Sequence, residues 1–376
     1  MGRAHVVPEG AEARLAEHLL KTFEAMGLRA ARQDVGRGRA NAIGRLDGDV
    51  PPEHGGTLVL LEAHIDTVPV DGMTIDPFAA EVRDGRLYGR GACDVKGGLT
   101  AMLGATERLA SSRPEGCPTV VLAGCVNEEY GFTGARALCD LFGESTSIVG
   151  GRPDLAIVAE PTGLDVVVAH KGLVRWRCRT RGLSVHSSAP ETGHNAIYDM
   201  ARVVTAFQRY QAEVLDAVGP SPDLGGPTVS VGTVAGGAGV NLVPDRCVIE
   251  IDRRLLPGED PEAAWRDARD WVDAASGVPA IHERPFLAAS PLGRATNASI
   301  ADQLLRAVRE RRPAAAARVV PYATDAALFS AAGVPSVVFG PGSIEQAHTA
   351  DEWLPLAELD QARDALARFL APAATR

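Results

Sequence analysis

Histidine and carboxylate side chains stand at the ends of apolar segments in this sequence. Short apolar runs at 58–61, 119–123, 155–159 and 336–339 are bounded by polar residues, as is typical of buried strands. The side chains that follow these runs, or that precede a glycine-bounded helical segment, are His64, Asp66, Asp94, Glu128, Glu129, Glu160 and His348. Because the carboxyl ends of strands line the ligand crevice of an open α/β sheet, we expect these groups to converge.

A crevice that gathers this many carboxylates requires cations. Without them the carboxylates would repel one another and their pKa values would rise. Imidazole mixed with carboxylate suits zinc and tolerates cobalt or manganese, whereas oxygen-only sets favour magnesium or calcium. Two histidines with four or more carboxylates can serve two ions. A pair of ions about 3.5–4 Å apart generates hydroxide at neutral pH and polarises a carbonyl under attack, so the pattern indicates hydrolytic chemistry.

Strand and helix patterns alternate in the regions that carry these groups. Apolar residues recur at helical spacing at 11–26 and 97–109, between the apolar runs, which predicts an α/β sheet with covered faces. The α/β pattern returns after Pro285, with helical segments at 298–309 and 356–370.

The pattern differs in the middle of the chain. Val174, Trp176 and Cys178 alternate with arginines in a period of two, as in a half-exposed strand. Further strand and helix patterns follow and indicate a compact unit of its own. We therefore predict a catalytic domain in two parts, 1–171 and 285–376, interrupted by an inserted domain at 172–284.

Composition narrows the class of protein. A chain of 376 residues with 45% hydrophobic content can bury a large core, and its net charge of -10 argues against nucleic acid as the main partner. The sequence has no apolar segment of the secretory type near its start and no run of about 18 apolar residues that could span a membrane. The six cysteines form no C-x-x-C pair. We expect a cytoplasmic protein with reduced thiols and no membrane partner.

Five motifs together resemble the M20 metallopeptidases. They are HIDTVP at 64–69, GRGACDVKGG at 89–98, NEE at 127–129, AEPT at 159–162 and AHTADE at 347–352. The resemblance covers nearly the whole chain and is nearest to the acetylornithine deacetylase, succinyl-diaminopimelate desuccinylase and aminoacylase group. It implies a zinc-exopeptidase-like catalytic domain with a mixed sheet, and an inserted α+β lid and dimerisation domain with a four-stranded antiparallel sheet.

The resemblance also implies a ligand set for two divalent ions. These are expected to be zinc, with cobalt as the alternative. Asp94 would bridge them. One ion would be held by His64, Asp94 and Glu160, and the other by Asp94, Glu129 and His348.

Two further residues at the centre take roles from the same resemblance. Asp66 would fix the ring orientation of His64, a function that metal-bound histidines normally require. Glu128 would be the general base, because its neighbour Glu129 can bind metal while Glu128 takes a proton from the attacking water and passes it to the leaving amine.

Three residues of the inserted domain match the family as well. His186 resembles the lid histidine that reaches the active site of a partner subunit and stabilises the tetrahedral oxyanion, which requires a homodimer formed through the lid domain. Asn241 and Arg254 resemble the positions that hold the carboxylate end of the substrate. The guanidinium of Arg254 suits this task because it can bind a carboxylate through two hydrogen bonds.

The predicted function is removal of an N-acyl group, of the acetyl or succinyl class, from an amino acid or diamino acid. The nearest alternative is an M20 dipeptidase or a glutamate-releasing carboxypeptidase, which the sequence separates poorly from a deacylase. A non-enzyme alternative is an inactive scaffold that binds metal or ligand. A degenerate copy of that kind should have lost a ligand or the base, and this sequence retains them all.

Overall fold

A computed structural model describes residues 12–371 of the chain. These residues form two compact units. The large unit comprises residues 12–169, 293–318 and 324–371, and the small unit comprises His170–Leu292 with Val319–Ala323.

The strands are, in chain order, β1 (Arg29–Gly36), β2 (Arg39–Leu46), β3 (Leu58–His64), β4 (Glu81–Arg83), β5 (Arg86–Tyr88), β6 (Thr119–Cys125), β7 (Leu155–Val158), β8 (Val166–His170), β9 (Gly172–Arg181), β10 (Thr228–Gly236), β11 (Arg246–Leu255), β12 (Ile281–His282), β13 (Leu287–Ala289), β14 (Ala317–Val320), β15 (Ser336–Val338) and β16 (Trp353–Pro355). The α-helices are α1 (Ala13–Ala25), α2 (Gly97–Ser112), α3 (Thr133–Asp140), α4 (Ala196–Tyr210), α5 (Asp216–Val218), α6 (Pro261–Ser276), α7 (Ala298–Arg309), α8 (Ala326–Ala331) and α9 (Leu356–Leu370).

The large unit is built on a mixed eight-stranded sheet in the order β1-β2-β6-β3-β7-β15-β8-β14. Its centre is parallel, since β3 pairs in parallel with both β6 and β7, and β15 pairs in parallel with β7. Strands β1, β2 and β8 pair antiparallel with their neighbours. Every residue of β3 and β6 is buried, as expected for strands covered on both faces. The mixed α/β sheet predicted for the catalytic domain is confirmed.

The parallel strands bring three chain segments to one edge of this sheet. In the register of the pairs, His64 at the end of β3 lies opposite Cys125 at the end of β6. Glu62 lies opposite Val158 at the end of β7. The residues that follow β3, β6 and β7 therefore emerge side by side at the carboxyl ends of the strands.

A second, three-stranded sheet in the large unit joins two distant segments of the chain. Its order is β16-β5-β4, with both pairs antiparallel. Strand β5 precedes the segment that carries Asp94, and β16 follows the segment that carries His348. Pairing of Trp353 with Tyr88 and of Leu354 with Leu87 thus holds the two segments together.

Helices of the large unit cover the sheet with apolar faces. In α7 the buried residues Ile300, Leu304 and Val308 recur every fourth position, and the arginines of the last turn stand where cations favour the helix dipole. The predicted helical segments at 298–309 and 356–370 correspond to α7 and α9. Among residues 12–371, no helix is both long and apolar enough to cross a membrane.

The small unit contains an antiparallel sheet in the order β10-β11-β9-β12, and a fifth short strand, β13, also pairs with β9. Four strands were expected. The additional strand fits because β9 is ten residues long, so β12 and β13 can pair with different parts of it. One face of the sheet packs on α4 and α6 around Trp176, whose ring lies 5.9 Å from that of Phe207.

The other face of this sheet carries ion pairs between neighbouring strands. Arg175 Nε lies 2.6 Å from an oxygen of Asp252, and Arg177 Nε lies 2.8 Å from an oxygen of Glu250. The period-two pattern read from the sequence of β9 is therefore the alternation of a buried apolar face with a charged face.

Candidate metal centre

Two sets of potential metal ligands meet at the carboxyl edge of the large sheet. Within each set the ligand atoms all lie within 4.8 Å of one another. The first set is His64, Asp94 and Glu160, and the second is Asp94, Glu129 and His348. Asp94 belongs to both, so the structure brings together the ligands predicted for two ions, with the predicted bridging residue between them.

The two oxygens of Asp94 face the two histidines. Oδ1 lies 2.9 Å from Nε2 of His64, and Oδ2 lies 3.2 Å from Nε2 of His348. The same Nε2 of His348 lies 3.2 Å from Oε1 of Glu129. A carboxylate that directs one oxygen toward each of two ligand groups has the geometry that bridging requires.

Asp66 contacts the ring of His64 and also the backbone of the glutamate pair. Nδ1 of His64 lies 3.1 Å from the backbone oxygen of Asp66 and 3.6 Å from its Oδ1. The carboxylate of Asp66 accepts hydrogen bonds from the backbone N–H of Glu128, at 3.0 Å, and of Glu129, at 3.2 Å. The sequence predicted only the first contact. Asp66 therefore lies where it can position both a metal ligand and the predicted base.

Backbone conformation explains how the glutamate pair leaves β6. Asn127 adopts φ 67°, in the left-handed region that asparagine tolerates better than most residues. Its Oδ1 accepts a hydrogen bond from Arg39 Nη1 at 2.8 Å, and its Nδ2 donates one to Thr133 at 3.0 Å. This local turn follows directly after the strand and precedes Glu128.

The segment before Asp94 depends on Gly91, which has φ 79°. A Cβ atom at this position would lie 2.3 Å from Nζ of Lys96 and 2.9 Å from Cγ2 of Thr67. The left-handed backbone strains any residue other than glycine here, and a Cβ atom would also require Thr67 and Lys96 to shift.

Burial, neighbouring charges and hydrogen bonds shift the pKa values of the carboxyl groups at the centre. Burial and the neighbouring Glu160 carboxylate raise the pKa of Glu128 well above its usual range. Burial and the charge of Asp94 do the same to the pKa of Glu160. Burial would also raise the pKa of Asp94, but hydrogen bonds with His348 and His64 outweigh it and hold that pKa well below its usual value.

The histidines show the complementary effect. Burial alone would lower the pKa of His64, yet its hydrogen bonds with Asp66 and Asp94 raise it well above normal. Hydrogen bonds with Asp94 and Glu129 raise the pKa of His348 to about 10. The histidines thus supply the positive charge that these carboxylates need.

The donor set fits divalent metal ions. Buried anions at this density require cations, and imidazole with carboxylate is the ligand combination that zinc and its neighbours prefer. An ion bound by each set would replace the protons that the histidines hold.

Two buried acids beside the centre have no counterpart in the predicted site. Glu62 and Asp325 are at most 1% exposed, and their carboxyl groups lie close to each other, with the thiol of Cys125 beside Glu62. Burial raises the pKa of Asp325 to about 7 and, together with the charge of Asp325, raises that of Glu62. A sequence signal did exist for Glu62, because it is an acid inside an apolar strand and lies on the same face of β3 as His64.

The other predicted site residues lie in the small unit. His186 is exposed, with Nδ1 2.8 Å from Oγ of Ser188, and the backbone N–H of Ser187 donates to the backbone oxygen of Asn241 at 3.0 Å. His186 and Asn241 therefore lie on neighbouring segments of that unit.

Arg254 already has an acidic partner. Its Nε and Nη2 donate to the two oxygens of Asp252, at 2.7 and 3.2 Å. The adjacent Arg253 is 2% exposed and pairs with Glu259 at 2.6 Å, so its guanidinium is buried and already has an acidic partner. Of the two arginines, Arg254 is the more accessible, and its role in binding substrate stays a prediction.

The mixed α/β sheet with histidine and carboxylate ligands at its carboxyl edge defines a metal-dependent hydrolase. The sequence profile of peptidase family M20/M25/M40 matches residues 60–371. The chain belongs to this family.

Known relatives agree with this assignment. An acetylornithine deacetylase from Proteus mirabilis is 32% identical over 364 residues, covering 94% of this chain and 88% of the relative. An M20 family metallo-carboxypeptidase from Sulfolobus solfataricus has a TM-score of 0.76 at 19% identity, covering 96% of this chain and 94% of its own. A dinuclear metal-binding M20 peptidase from Bacillus subtilis has a TM-score of 0.65 at 19% identity, and the match covers 96% of this chain and 91% of the peptidase chain. The two solved structures show the shared fold.

The raised pKa of His348 predicts how stability depends on pH when metal is removed. The ordinary value is about 6.5, so pairing of protonated His348 with Asp94 and Glu129 stabilises the chelator-treated protein fully below that pH. This contribution is lost as the pH rises toward about 10. The difference in Tm between wild type and His348→Gln should therefore be largest near pH 6.5 and should shrink as the pH rises toward about 10. A difference independent of pH would contradict the assignment. His54→Gln, at an exposed histidine, serves as the control and should show no such trend.

Proposed function

We propose that this protein is a two-metal amidohydrolase that removes an N-acyl group, of the acetyl or succinyl class, from an amino acid or diamino acid. The observation that carries the proposal is the pair of ligand sets that share Asp94, with Glu128 close enough to Glu160, His64 and Glu129 to interact with their charges. The similarity to acetylornithine deacetylases over nearly the whole chain supports an acylated amino acid as substrate.

The proposed mechanism assigns the proton to Glu128. Two divalent ions, most simply zinc with cobalt as a substitute, would polarise the amide carbonyl and acidify water when bound. Glu128 takes the proton from the attacking water and delivers it to the nitrogen of the leaving amine, so that the carbon–nitrogen bond can break. Burial, which raises the pKa of its carboxyl group, favours the protonated form that Glu128 must adopt before it delivers the proton.

Positioning of the base is the task proposed for Asp66. Its carboxylate holds the backbone N–H groups of Glu128 and Glu129 while its backbone oxygen contacts the ring of His64. One residue thereby fixes the base relative to ligands of both ions. Such precision matters because a general base must lie within hydrogen-bond reach of the proton that it takes.

Residues of the small unit would recognise the substrate and its transition state. Arg254, with Asn241, would bind the substrate carboxylate, using hydrogen-bonding capacity that Asp252 leaves unfilled on the guanidinium. His186 would donate to the developing oxyanion in the active site of a partner subunit.

The homodimer required by this role would form through the small unit. Strand β10 lies at the edge of its sheet and is largely exposed, with Val234 68% exposed. An exposed edge strand with apolar side chains presents unpaired backbone groups to a second chain. We propose that a second copy of this chain binds at β10, because His186 can act on a partner's active site only in a dimer.

A panel of substrates tests the reaction. N-acetylornithine, N-succinyl-diaminopimelate, N-acetylmethionine and simple dipeptides should be compared by release of free amine. We expect hydrolysis of at least one N-acyl amino acid, loss of activity with a chelator, and its recovery with zinc or cobalt. Hydrolysis of dipeptides alone would favour an M20 dipeptidase, and activity that survives chelation would overturn the two-metal mechanism.

Glu128→Ala tests the base. The variant should bind metal as wild type does, because Glu128 belongs to neither ligand set. It should lose about 10²- to 10⁴-fold in kcat, the usual contribution of a general base. Metal content and turnover are measured on the same sample. Glu345→Gln removes an exposed acid three residues before His348 and should keep full activity. Full activity of Glu128→Ala would refute the role.

Mixed dimers test the role of His186 in trans. Glu128→Ala and His186→Ala should each be almost inactive alone. If His186 serves the partner's site, refolding them together should restore about a quarter of wild-type activity, since half of the dimers are mixed and each mixed dimer has one intact site of two. Absence of recovery would show that His186 does not act across the interface.

A further inference from the structure

Glu352 is a fully buried acid that the proposed reaction does not use. It lies four residues after His348, at the start of the chain that enters β16, and its side chain is 0% exposed. Because a charged side chain is expensive to bury without partners, its contacts should reveal a specific task.

The carboxylate of Glu352 accepts hydrogen bonds from the segment that carries Asp94. Oε2 receives the backbone N–H of Gly91 at 2.9 Å. Oε1 receives the backbone N–H of Cys93 at 2.8 Å and that of Asp94 itself at 3.0 Å. Three N–H groups of one turn thus converge on a single carboxylate, and the last belongs to the proposed bridging ligand.

Arg90 extends the same network to the segment that carries His348. Its Nη1 donates to Oε2 of Glu352 at 2.7 Å, and its Nη2 donates to the backbone oxygen of Thr349 at 3.2 Å. Thr349 is the immediate neighbour of His348. The backbone of Glu352 adds another link, because its oxygen accepts from the N–H of Gly89 at 3.0 Å.

The segment around His348 needs such support. His348 has φ 61°, a left-handed conformation that costs a non-glycine residue free energy, and its side chain is half exposed. Packing therefore does little to fix the ring. By contrast, His64 ends the fully buried β3, and Glu160 lies in the interior two residues after β7.

We propose that Glu352 is the positioning residue that sets the affinity of the second metal site, formed by Asp94, Glu129 and His348. The inference rests on the two-metal centre proposed above. Glu352 holds Asp94 through the turn and His348 through Arg90, so its loss disturbs two of the three ligands of the second site. At the first site it disturbs only Asp94, because the large sheet holds His64 and Glu160.

The test is a metal titration of the chelator-treated full chain with Zn²⁺, followed by calorimetry, and with Co²⁺, followed by visible absorption. The step that disappears in His348→Ala identifies the second site. Glu352→Gln should then weaken that step by about 10- to 100-fold, the usual effect of removing a partner that orients metal ligands, and should weaken the other step less.

Asp49→Asn is the matched control. Asp49 is also an acid that accepts backbone N–H groups, from Gly116 at 2.8 Å and Cys117 at 3.2 Å, and that faces an arginine, Arg113, at 4.0 Å. Its backbone partners precede β6, at the end of that strand opposite the proposed ligands. Both of its binding steps should match those of wild type. Equal weakening of both steps in Glu352→Gln, or unchanged steps, would overturn the inference.

Circular dichroism establishes whether Glu352→Gln is folded. If it is not, Arg90→Lys keeps a cation beside Glu352 but removes the fork that also reaches Thr349. It should weaken the second step in the same direction, and an unchanged second step would overturn the inference. A wild-type chain that takes up only one ion would overturn the two-metal proposal itself, an outcome distinct from two ions bound equally well by wild type and variant.

Discussion

Concentration of negative charge inside the protein is the constraint on which the rest of the large unit depends. Glu128 and Glu160 follow parallel strands of the large sheet, and the segment after β5 brings Asp94 beside Glu160. Burial there removes the water that would otherwise solvate these carboxylates. Desolvated charges of one sign are costly, and either protonation of the carboxylates or cations at short range must offset that cost. Protonated His64 and His348 provide one positive charge each, and divalent ions would provide two each. The same crowding that makes the site costly to build would favour the binding of metal ions there.

The convergence of the proposed ligands could be predicted from sequence because each stands in a short motif, either after a strand or, for Asp94, before a glycine-bounded helix. The strand pattern gives the edge of the sheet, and the resemblance to M20 enzymes assigns His64, Asp94, Glu129, Glu160 and His348 individually. The supporting contacts could not be predicted in this way. Asp66 reaches the N–H of Glu128, and Glu352 reaches that of Asp94, across long stretches of sequence. Nothing local to either partner specifies the other.

The fold was predictable to the same degree and for the same reason. Helices such as α1 and α7 have strong apolar periodicity, and the buried strand β3 is an unbroken apolar run except for Glu62 and His64. Strands β1 and β2 were not predicted. Strand β1 lies at the sheet edge with mostly exposed or half-buried residues, so its sequence lacks the apolar pattern that marks a strand. Residues 172–284 remain the predicted span of the inserted domain, and the roles of His186, Asn241 and Arg254 in it remain predictions.

The three-stranded sheet β16-β5-β4 has a consequence for how the protein is made. Strand β5 is synthesised before its partner β16, and the paired residues Tyr88 and Trp353 are about 265 residues apart, which is a large loop to close. Translation is vectorial, so a nascent chain carries His64, Asp94 and Glu160 long before His348 exists. All residues of one ligand set have then been synthesised, while the other set still lacks its histidine. The second set can therefore assemble only after the segment from His348 to β16 has been made, and that segment also supplies Glu352, which holds the turn that carries Asp94.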